Sequence, residues 1–179
     1  MRYFTPELYL KLQSSDEKTL HAGAQGWERA IEAYARHLEK IRAQLPPEVL
    51  AFGQSNFHDW RLLMFWPDAY GEAPANELII LLQHRKDIAV LSYSLTTLVE
   101  RIDPPREWDM PLDRVYWLYD ELDLGANRAK SFIHRILLTD GTTLMINFSG
   151  CRVNKTNLDQ GVSREDLAGM DAASSSPRE

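Results

Sequence analysis

The sequence predicts an α+β fold, with N-terminal helices packed on one face of a C-terminal, mainly antiparallel sheet of about six or seven strands. Three observations carry this expectation. A helical apolar period dominates residues 5–53, and short β-branched and aromatic runs bounded by turn residues dominate 57–150. Asp140-Gly141 joins two of those runs with a strong short-range hairpin signal. Helices followed by strands favour layers in which the helices cover an antiparallel sheet.

The helices are read in order. Thr5 has a capping hydroxyl, Pro6 suits the first helical position, and Glu7 suits the positive end of the helix dipole. Leu8, Tyr9 and Leu12 give this short helix an apolar face, and Ser14 with Glu17 has capping-box spacing for a second helix. Trp27, Ile31, Tyr34, Leu38, Ile41 and Leu45 then recur at steps of three and four, forming one apolar stripe. Gly23 and Gly26 each cost about 1 kcal/mol relative to Ala inside a helix, so the ordered helix is expected to begin near Gln25. Pro46-Pro47 ends it, and a brief helical turn over 48–52 stops at Gly53.

Strands are expected over 60–66, 77–83, 88–95, 96–102, 114–124, 131–139 and 142–148. The polar stretch 84–87 makes a hairpin of the second and third. A two-residue Asp140-Gly141 turn sets Thr139 opposite Thr142. Arg135 then faces Ile146 on a largely apolar face, and His134 faces Asn147 on a mixed one. Residues 1–160 read as a single domain, and the small, polar, aromatic-free stretch 161–179 as a disordered tail.

Composition narrows the function classes. Twenty basic against 26 acidic side chains give a net charge of -6, which argues against a general nucleic-acid binder. The single cysteine, Cys151, excludes a disulfide framework and any intrachain Cys-based zinc site, and it reads as a packing residue. The longest apolar run, 78–82, is far below a membrane span, and the opening residues lack signal-peptide character. The expectation is a cytoplasmic protein with no nucleic-acid or membrane partner, no cofactor and no metal.

Short nucleotide-binding, hydrolase, zinc and calcium fingerprints are missing, so any site must be assembled from distant residues. Two polar groups stand out as a candidate binding cluster. His58-Asp59 lies at the helix-to-sheet junction, where an acid beside an imidazole orients it, although neighbours on a strand point to opposite faces. Asp120 and Glu121 lie on a strand expected to pair with the one carrying His134 and Arg135. Arg135, among apolar neighbours, requires a carboxylate, with Glu121 or Asp123 the nearest in sequence. His21, His37 and His84 read as surface residues of the helix and hairpin.

Met1-Arg2-Tyr3-Phe4-Thr5, Trp27-Glu28 with Ile31, Leu45-Pro46, Phe57-His58-Asp59 and the stretch 132–138 before Asp140-Gly141 together resemble an uncharacterised bacterial family opening with an MKYFT-like string. The resemblance implies a bacterial protein of unknown function and transfers no site residue. The pattern is also reminiscent of small immunity-type proteins. The favoured expectation is a binding or regulatory module, of immunity-protein-like character, that engages a protein partner or a second copy of itself. The alternative is a small-molecule-binding protein or hydrolase-like enzyme built around His58, Asp59, Glu121 and His134.

Overall fold

The computed structural model describes residues 1–66, 76–109, 113–127 and 130–158. Helices α1 (Pro6–Leu12), α2 (Glu17–Ile41) and, after a short 3-10 turn, α3 (Pro47–Gly53) precede the sheet. The strands are β1 (Arg61–Trp66), β2 (Glu77–His84), β3 (Asp87–Leu95), β4 (Glu100–Ile102), β5 (Trp117–Leu124), β6 (Phe132–Leu138) and β7 (Thr143–Asn157). They form one antiparallel, curled half-barrel in the order β1-β2-β3-β7-β6-β5, with β4 added to β7. The expected α+β architecture is therefore present. The tail 161–179 lies outside the described residues.

Thr5 caps α1 by accepting from the Leu8 N–H at 3.2 Å. The cap of α2 is Asp16, which accepts from the Thr19 N–H at 2.8 Å, whereas Ser14 accepts from the Asp16 N–H. The helix begins at Glu17, well before Gln25. Its glycines are contact points, because a Cβ on Gly23 would lie 2.8 Å from the Lys11 carbonyl carbon and one on Gly26 would lie 2.7 Å from Leu8 Cδ1. That close contact with α1 fixes the rotation of α2. The inward stripe becomes Gly23, Trp27, Ala30, Tyr34, Leu38 and Ile41, while Ile31 is half exposed. His37 falls on the inward side too, contrary to its expected surface position.

The β6–β7 register also differs from expectation. The loop has three residues, Thr139, Asp140 and Gly141; Leu138 N–H donates to the Thr142 carbonyl at 2.9 Å, and Gly141 takes a left-handed φ of 80°. His134 now pairs with Ile146, Ile136 with Leu144 and Arg135 with Met145. The extra residue puts Phe132, Ile136, Leu138, Leu144, Ile146 and Phe148 on one buried face. It also moves Arg135 off that face, avoiding the cost of an arginine in the core. β7 runs on to Asn157, past the expected end of the sheet at 150, and its second half pairs with β3.

On the inner face, Leu78, Ile80 and Leu82 of β2 join Ala89, Leu91 and Tyr93 of β3 and the β6–β7 set. Helix α3 closes this face. Its Phe52 ring meets His134 at 5.0 Å and Tyr93 at 5.4 Å. The two sheet edges touch at one end, where Leu62 N–H donates to the Val115 carbonyl and Trp117 N–H to the Trp60 carbonyl.

Gly23→Ala separates packing from propensity. Propensity alone favours Ala by about 1 kcal/mol. The 2.8 Å approach to Lys11 predicts a net loss of about 1–3 kcal/mol, read as a lower urea midpoint.

Candidate functional site

β5 has the sequence WLYDELDL, and its acids reach different sides of the sheet. Asp120 points inward. Its Oδ1 accepts from Trp117 Nε1–H at 2.9 Å, and its Oδ2 lies 3.1 Å from His134 Nε2. His134 Nδ1 lies 3.0 Å from the Tyr93 hydroxyl. A neutral imidazole protonated on Nε2 satisfies both contacts, with the Tyr93 O–H donating to Nδ1. Burial pushes the Tyr93 phenol well above its ordinary pKa, and the Asp120 charge adds to the shift. His134 and Tyr93 are both 1% exposed, so this Tyr-His-Asp chain ties β3, β6 and β5 together rather than meeting a substrate.

Glu121 points to the opposite side and is also buried. Its carboxylate accepts from three successive backbone N–H groups: Arg2 at 2.7 Å, Tyr3 at 2.6 Å and Phe4 at 2.7 Å. Residues 2–4 thus form a strap over β5, with Phe4 packed between Trp27, Tyr34 and Tyr119. Asp123 meets Arg135 at 3.5 Å and His37 at 3.0 Å. Of the two carboxylates expected for Arg135, Asp123 is the one in contact.

His58 and Asp59 sit elsewhere. His58 Nδ1 lies 3.0 Å from Asp59 Oδ2, and its ring meets Tyr119 edge-on at 4.9 Å. Asp59 has a φ of 65° and donates its N–H to the Trp117 carbonyl. The phenols of Tyr9 and Tyr119 are raised, chiefly by burial and further by the Asp59 charge, with Tyr9 also acting on Tyr119. Tyr119 and Asp120 are consecutive on β5 and face opposite ways. His58 and His134 therefore lie on different sides of the sheet, and the six expected site residues do not converge. Among the described residues, no group of three or more His, Cys, Asp or Glu side chains is placed to hold a metal.

His84 departs from expectation, and Cys151 agrees with its reading as a packing residue. His84, read as a surface residue, stacks on Trp60 at 5.7 Å. Cys151 lies half-buried opposite Tyr93, and burial, with the Glu48 charge, pushes its thiol up to about 12.

What the sequence reading missed is the outward face of β1 and β2. The pairings Met64–Leu81 and Trp66–Ile79 put these side chains on the side opposite Ile80 and Leu82. Leu63, Met64 and Trp66 are 39%, 43% and 42% exposed. The adjoining outward residues of β3, Ile88 and Val90, are half-buried. Beyond Leu62, a groove of about 340 Å³ lies between β1 and residues 113–115. The signal was present in 61–66 and 78–82, which are apolar at nearly every position although a strand with one wet face should alternate.

In comparison with known proteins, no family model matches the chain and no curated protein matches it.

Two outcomes test the structural assignments. His134→Leu strands the Tyr93 hydroxyl and one Asp120 oxygen, and is expected to cost about 3 kcal/mol in urea unfolding. Cys151, with its thiol pushed up to about 12, should react with a disulfide reagent at pH 8 more slowly than an exposed thiol by about one to two orders of magnitude, and faster as pH rises.

Proposed function

We propose that the protein is a binding or regulatory module that engages a protein partner through the outward face of β1 and β2. The observation that supports this most is the row Leu63, Met64 and Trp66, an exposed apolar patch continued by Ile79 and Leu81. Contiguous apolar surface of this kind marks interaction sites, whereas scattered exposed apolar residues are ordinary. A preformed sheet face binds without paying an ordering cost, which suits an immunity-protein-like module that holds or controls another protein.

The enzyme alternative asks His58, Asp59, Glu121 and His134 to share one site. They occupy three separate places, and each already has a partner within the chain: His58 with Asp59, Glu121 with the strap, His134 with Asp120 and Tyr93. The binding reading therefore takes precedence.

A photo-crosslinking residue at position 64 tests it, with position 29 on the exposed side of α2 as control. The expected result in producing cells is one discrete crosslinked species from position 64, lost with Trp66→Asp, and none from position 29. Equal crosslinking from both positions, or none from either, contradicts the proposal.

A further inference from the structure

We infer that the occupant of the outward β1–β2 face is a second copy of this chain, related by a two-fold axis; this rests on the binding reading above. The face is self-complementary. A two-fold interface uses the same patch on both partners, so each feature must meet its own complement after rotation. The face has that property. Its centre is the apolar row Met64–Leu81 and Trp66–Ile79. Arg61, paired with Gln83, stands at one end, and Glu77 stands at the other on the same outward side of β2.

From the level of Arg61 to Glu77 is six residues along β2, about 20 Å at strand spacing. Neither Arg61 nor Glu77 has a charged partner among the described residues. Rotation about an axis that lies between the two faces, passes through the apolar centre and runs across the strands lays the Arg61 end of one copy over the Glu77 end of the other. Two ion pairs then flank a shared apolar core, and the exposed Met64 and Trp66 side chains are covered. A copy docked in the same direction would instead set Arg61 against Arg61 and Glu77 against Glu77. That repulsion selects the two-fold axis that runs across the strands over the one that runs along them.

Sedimentation equilibrium of the purified full chain tests this, with circular dichroism confirming that each variant is folded. The wild type is expected to sediment at twice the chain mass, and Met64→Glu at the monomer mass. Arg61→Glu and Glu77→Arg are each expected to weaken the dimer about tenfold, and the double swap to restore it. A dimer unaffected by Met64→Glu, or one that the double swap fails to restore, overturns the inference. A monomeric wild type that still gives the position-64 crosslink to another protein overturns it as well, leaving the binding reading intact. A monomer with no crosslink overturns both.

Discussion

The arrangement depends on one constraint: the three carboxylates of β5 each need donors, and each finds them in a different layer. Asp120 draws His134 and Trp117 inward, and through His134 reaches Tyr93 on β3. Glu121 takes its donors from the backbone of residues 2–4. Asp123 takes them from His37 of α2 and Arg135 of β6. Among the described residues no buried side-chain N or O atom is left without a hydrogen bond. An edge strand carrying acids thereby becomes the joint between the helices, the N-terminal strap and the sheet. Removing the donors of Glu121 would leave a buried charge uncompensated, which costs far more than a surface pair returns, and the part-buried Asp120 and Asp123 would lose less.

The same arrangement accounts for where function is proposed. Polar side chains that would serve a catalyst are engaged within the chain, and Tyr93 is held firmly protonated by burial. What stands out on the remaining surface is an apolar patch. On the inner face α3 supplies Val49 and Phe52 to the curled sheet, and both are buried. On the outer face of β1 and β2, Leu63, Met64 and Trp66 remain exposed. That face is where a partner is proposed to supply the missing layer.

Much of the fold was legible because its signals are local. The Thr5-Pro6 start, the Pro46-Pro47 break and the Asp140-Gly141 turn each act within a few residues. What failed were mostly consequences of contacts distant in sequence, together with the length of one local loop. Gly23 and Gly26 weaken an isolated helix, yet their value lies in the approach of α1. The hairpin register turned on one extra loop residue, and that residue exchanged the faces of His134 and Arg135. For the candidate site, Arg135 was correctly given a carboxylate on the neighbouring strand. The Tyr93–His134 contact and the strap on Glu121 had no sequence signature, since their partners lie 41 and more than 100 residues away. The outward face of β1 and β2 was visible as unbroken apolar runs, but periodicity alone assigns such runs to a doubly covered strand.

The most direct test of the β5 account is native-state hydrogen exchange on Glu121→Gln. A neutral amide cannot accept from all three strap N–H groups as the carboxylate does, so protection is expected to fall at Arg2, Tyr3, Phe4 and the first turn of α1, with β2 and β3 unchanged. Wild-type protection of residues 2–4 in that variant would contradict the claim that this carboxylate holds the strap and, through it, the helical layer to the sheet.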